Sequence, residues 1–162
     1  MRTLLVLVIV IGVPIWLYFF LHRGLSTRTE PSRPEVYVAT LLREWAIPAK
    51  YKELRNPVNC TDEALSDART HWADHCATCH ANNGDGDTML GKTMYPRPPD
   101  IRQSATQRQS DGELYYTIKN GIRLSGMPAF GESLNDQQLW QVSLMLSQSD
   151  KLPASVVKKL NP

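Results

Sequence analysis

No stretch of useful length in the 162-residue chain alternates apolar and polar residues, which removes half-exposed strands and leaves an almost wholly helical reading. Internal repeats and low-complexity runs are missing too, so no repeat array or compositionally biased segment enters the argument. Thiols are few: Cys60, Cys76 and Cys79 are the only three. A structural zinc site built on Cys76 and Cys79 would need a second ligand pair downstream, and Cys60 lies upstream. A thioredoxin-like site would need a βαβ setting that the flanks do not supply. No hydrolytic or nucleophilic constellation is visible. The chain carries +2 overall, yet residues 60–150 hold seven Lys/Arg against twelve Asp/Glu, which does not suit a nucleic-acid binder.

What is present is the run Cys76-Ala-Thr-Cys79-His80. Two thiols three residues apart followed at once by an imidazole have the spacing of covalent haem attachment. On one helical turn Cys76 and Cys79 share a face, so each sulfur can add to one vinyl group of a flat porphyrin. His80 then follows beneath the ring, where its Nε2 can reach the iron as proximal ligand. One covalent haem c, with its iron, is the expected cofactor.

The second strong signal is the run Leu4–Leu21, 18 residues without a charge, or about 27 Å of helix at 1.5 Å per residue. Two readings compete. A cleaved signal peptide usually has a shorter apolar core and a small-x-small cleavage site, whereas here His22, Arg23 and Gly24 follow. The expected reading is a retained transmembrane anchor over residues 1–21, in contact with lipid through residues 4–21. Arg23, Arg28 and Arg33 would place the following segment in the cytoplasm by charge counting. The haem motif points to the other, periplasmic side of a bacterial cytoplasmic membrane, and it takes precedence over that statistical rule.

Residues 22–59, interrupted by Pro31, Pro34, Pro48 and Pro57, read as a tether. Within it Val38, Leu41, Leu42 and Trp45 have the spacing of one amphipathic helix, with a face that would pack on the following domain or on the membrane surface. Residues 60–150 form the expected domain, and residues 151–162, with Lys151, Lys158 and Lys159, a basic tail. Helix starts are well marked. Thr61 precedes Asp62 and Glu63; Ser110-Asp-Gly-Glu113 and Asn135-Asp-Gln-Gln138 have the capping-box pattern. A domain of about 90 residues is small for a self-sufficient core, and a buried haem would supply the missing apolar surface.

The order helix, CxxCH, proline-rich loop, helix, Gly-Met-Pro, final helix resembles the class I bacterial monohaem cytochromes c over about residues 60–148. The resemblance implies an all-α cytochrome c fold in which the first and last helices cross beside the haem. Ala68 and Trp72 match the small and aromatic positions of the first helix; Leu139, Trp140, Val142 and Met145 match the apolar face of the last. Ala68 and Ala81 stand where the family usually has glycine. The resemblance also implies that the loop Tyr95-Pro-Arg-Pro-Pro-Asp100 offers a carbonyl, that of Pro98 or Pro99, to His80 Nδ1.

For the sixth iron ligand Met127 is the candidate. It lies between Gly126, expected to permit an unusual backbone angle, and Pro128, and it matches the family's Gly-Met-Pro. Met145 has core spacing, and Met89 and Met94 follow His80 too closely to reach the opposite haem face with ease. Ligation by His71 or His75 is the alternative. Propionate donors could come from Arg102, Arg123, Tyr115 or Trp140. Asn82–Asp87 has calcium-like oxygen spacing but no acid at the bidentate position, so it reads as a turn. Cys60 reads as a small residue before a helix cap.

With both axial positions filled, the iron has no open site for substrate. The expected function is that of an electron carrier and not an enzyme: a membrane-anchored cytochrome passing single electrons between respiratory or periplasmic redox proteins. A subunit of a stable oxidase, reductase or dehydrogenase complex and a gas-binding sensor are the alternatives.

Overall fold

The computed structural model describes residues 2–22 and 26–149, and among them every regular element is helical. Asp150 and the basic tail 151–162 lie outside the described residues. In chain order the helices are α1 (Arg2–His22), α2 (Arg33–Ala46), α3 (Ala49–Lys52), α4 (Asp62–His71), α5 (Ala77–His80), α6 (Ser104–Gln107), α7 (Asp111–Asn120) and α8 (Asp136–Ser147). A π turn, Trp72–Cys76, joins α4 to α5, and a 3₁₀ turn spans Gly91–Thr93.

The caps form where the sequence marks them. Thr61 Oγ1 accepts from Ala64 N–H at 3.2 Å, while Asp62 and Glu63 face the positive end of the α4 dipole. Ser110 and Glu113 exchange bonds at the start of α7, as do Asn135 and Gln138 at the start of α8. α7 stops at Gly121, whose φ of 67° costs a glycine little.

α4 and α7 both pack on α8. Ala68 is fully buried where α4 meets α8, beside Trp72, and Leu139, Trp140, Val142 and Met145 are buried on the other side. These are the positions the family pattern singles out. α8 buries every residue from Leu139 to Leu146, including two polar ones. Ser143 Oγ donates to the Leu139 carbonyl at 2.8 Å, and Gln141 Nε2 donates to Asp67 on α4 at 3.1 Å, so neither is left unpaired. The ring of Tyr115 stacks on Trp140 at 4.1 Å, and its hydroxyl donates to Asp136 at 2.7 Å, tying α7 to the start of α8.

Over residues 26–59 the segment read as a tether contains two helices. α2 forms over the expected amphipathic stretch but buries none of its residues. From Ile47 onward the chain is docked: Ile47 is buried, Tyr51 and Val58 pack on the core, and Asn56 Nδ2 donates to the Trp140 carbonyl at 2.8 Å. α3 runs so close to α7 that a Cβ on Gly112 would fall 1.9 Å from the Tyr51 carbonyl oxygen, which explains the glycine in the first turn of α7.

The expected span Leu4–Leu21 lies within α1. Among the described residues no helix is long and apolar enough to cross a membrane. The uncharged run Leu4–Leu21 amounts to about 27 Å at 1.5 Å per residue, against a hydrocarbon core of about 30 Å.

Candidate functional site

The pentapeptide Cys76–His80 is presented by a break in helical register. Ala77 N–H bonds to the Trp72 carbonyl five residues back, the signature of a π turn. This turn carries Trp72 and Cys76 into the core, while Cys79 and His80 are half-buried on α5. Cys76 and Cys79 are not joined by a disulfide. Burial, with Cys79 alongside, pushes the Cys76 thiol up to about 12, the opposite of an activated thiolate. That chemistry does not suit a redox dithiol.

His80 is held from three directions. Its ring lies 5.6 Å from that of Trp72. Gly86 N–H bonds to its carbonyl at 2.9 Å, closing the loop that follows. Burial lowers its pKa, opposed by the Pro99 carbonyl, so the imidazole is neutral and Nε2 keeps a lone pair for a metal. Nδ1 is buried with no well-formed hydrogen bond, and Pro99 is the backbone acceptor near it. The proline loop is clamped by close backbone approach: a Cβ on Gly86 would stand 2.5 Å from the Pro98 oxygen. Gln107 Nε2 donates to the Ile101 and Leu146 carbonyls, pinning the end of that loop to α8.

Ala81 pays for this geometry. Its φ of 63° and ψ of 161° lie in a region almost reserved for glycine, and the bond from Trp72 Nε1 to its carbonyl at 3.0 Å holds it there. Ala81→Gly is therefore expected to raise stability by about 1 kcal/mol, the relief of strain exceeding the extra chain entropy of glycine. Thermal unfolding of the haem-loaded protein measures it. An unchanged or lower melting temperature would mean that the alanine sits there at no cost.

Met127 is half-buried and packs on the same core cluster as Trp72 and Cys76, with Phe130 beside it. Its loop is internally braced: Ile122 N–H bonds to the Met127 carbonyl at 3.2 Å and Met127 N–H to Ser125 Oγ at 3.1 Å. The positive φ expected at Gly126 falls instead on Gly121 and on Leu124, at 62°. A Cβ at Gly126 would lie 2.9 Å from Met94 Sδ, a flexible side chain that can move aside. Met94 thus rests against the Met127 loop, a neighbour that separation from His80 along the chain did not suggest.

The other candidates separate. His71 and His75 sit side by side, ring centroids 6.4 Å apart, and the exposed His75 also meets the edge of Phe130. Arg102 is engaged with Asp100 through two bonds of 2.8 Å, and Tyr115 with Asp136 and Lys119. Arg123 is exposed on the Met127 loop. Asn83 and Asp85 bond to each other and to the backbone of their own turn. Cys60 is exposed.

Two thiols three residues apart, a neutral imidazole with its second nitrogen toward a carbonyl, and a thioether loop on the same apolar cluster fit a covalently held haem. Comparison with known proteins agrees. Residues 63–144 match the family model described as cytochrome C oxidase, cbb3-type, subunit III. Among solved structures the chain resembles a component of the Kuenenia stuttgartiensis reducing HAO-like protein complex, with a TM-score of 0.53 and 19% identity. That match covers 57% of this chain and 46% of the other, and it shows the fold. No curated protein matches the chain.

Proposed function

Because the chain belongs to the family described as cytochrome C oxidase, cbb3-type, subunit III, and so carries covalent haem c and transfers electrons, we propose that it serves redox proteins at a bacterial membrane. Cys76 and Cys79 would hold the group by thioether bonds, His80 Nε2 and Met127 Sδ would ligate its iron, and Pro99 is the carbonyl near His80 Nδ1. When bound, haem would supply a one-electron iron couple. Ligation by the Met127 thioether would favour the reduced state, and with His80 and Met127 both on the iron no position would be left for substrate. The observation that carries this reading is the convergence of the CxxCH turn and the Met127 loop on one apolar cluster.

The membrane part of the proposal rests on α1. Its described apolar side chains, from Val6 to Leu21, are 43–63% exposed on every side, so none of the described residues covers a face of it. A helix apolar all round needs an apolar surrounding. With Trp16, Tyr18, Phe19 and Phe20 gathered toward its end, where interfacial aromatics sit, α1 reads as a single span that leaves the haem domain on the periplasmic side.

A second reading, a permanent subunit of an oxidase, is favoured by the description of the matched family. Extraction in mild detergent separates the two. A free carrier is expected to purify alone as a red protein whose pigment survives acid-acetone; a stoichiometric partner would establish the subunit, and a colourless product would overturn both.

A further inference from the structure

α2 is a helix with an apolar face that none of the described residues covers. Val38, Leu41, Leu42 and Trp45 fall within about 100° of one another on a helical wheel, at 100° per residue, and are 47–88% exposed. The half-buried residues of the helix, Thr40 and Arg43, lie on the opposite side. The Tyr95 hydroxyl donates to the Glu35 carboxylate in the first turn, and Arg97 pairs with Glu30 at 3.7 Å just before the helix. The proline loop therefore holds α2 by polar residues at its start, and Val38, Leu41, Leu42 and Trp45 are left exposed.

Two observations say what covers it. Only ten residues separate His22 from Arg33, a reach of at most about 35 Å, so the end of α1 keeps α2 close to wherever α1 ends. The exposed end of the stripe is Trp45, with Tyr37 at its margin, residues suited to the headgroup boundary.

We propose that α2 lies in the plane of the membrane, with Val38, Leu41, Leu42 and Trp45 in the lipid headgroup boundary, and that through Glu35 and Tyr95 it sets which side of the haem domain faces the bilayer. The proposal rests on reading α1 as the span, and the two are separable. The haem-loaded full chain is reconstituted into phosphatidylethanolamine–phosphatidylglycerol vesicles, recovered by flotation, and its amide hydrogen exchange followed over residues 33–46. Exchange in the wild type and in Ala39→Glu, a change outside the stripe, is expected to be at least about tenfold slower than in Leu42→Glu or Trp45→Glu. All four proteins should float, because α1 is intact. Failure of the wild type to float would overturn the span and α2 with it. Flotation with equally fast exchange in all four would overturn the α2 proposal alone. Slowing that requires an added redox protein would assign the face to a protein partner and overturn it as well.

Discussion

Met127→Ala will lower the reduction potential by on the order of 0.1 V or more, within the span of about 0.8 V that axial ligands command. It will also remove the charge-transfer absorption of a methionine-ligated low-spin iron. The loss follows from position: Met127 is fixed by the Ser125 and Ile122 bonds against the cluster that contains Cys76, and no other residue of its loop carries a sulfur or an imidazole. The reduced variant should bind carbon monoxide at neutral pH, while the wild type should not. Met94 is the internal control. It touches Gly126, so Met94→Leu tests whether its thioether substitutes for that of Met127. A charge-transfer band that survives Met127→Ala and disappears only in the double variant would transfer the ligand to Met94.

Ala68→Leu is the second large effect. Ala68 is 0% exposed where α4 meets α8, packed in a cluster with Trp72, Leu139 and Val142. Three added carbons have no space to enter, so the helices must separate and the Gln141–Asp67 bond across them must stretch. The expected cost is about 3 kcal/mol, the upper part of the range for overpacked cores. For a domain of this size that corresponds to roughly 15 °C in melting temperature. Thermal unfolding of the haem-loaded protein measures it, and a fall of only a few degrees would show that the crossing is loosely packed. Ala68→Gly provides the opposite test, since it restores the residue usual at that position.

The features legible along the chain were those with local causes. Thr61, Ser110 and Asn135 marked three helix starts because a cap is satisfied within three or four residues, and the CxxCH spacing is itself local chemistry. The amphipathic stripe of α2 was legible for the same reason, as a period of 3.6. What escaped was set by contacts between distant segments. The docking of Asn56 on Trp140 has no pattern in the residues around either, nor does the approach of Met94 to Gly126. The positive φ expected at Gly126 is carried instead by Gly121 and Leu124, which the Gly-Met-Pro pattern does not mark. The strain at Ala81 was visible only as a departure from a glycine pattern, and its backbone angles show what that departure costs.

The π turn at Trp72–Cys76 makes the haem-bearing segment a matter of phase. Each residue of an α-helix advances the next by about 100° around the axis, so one residue gained or lost upstream of Cys76 would point the sulfurs a quarter-turn or more away from the core. The π turn absorbs one residue and so acts as the vernier that aligns two otherwise independent settings: α4, indexed by Ala68 against α8, and α5, indexed by His80 toward the Pro99 carbonyl. Residue count between Ala68 and Cys76 is accordingly a constraint in its own right, distinct from the identity of any residue in the interval.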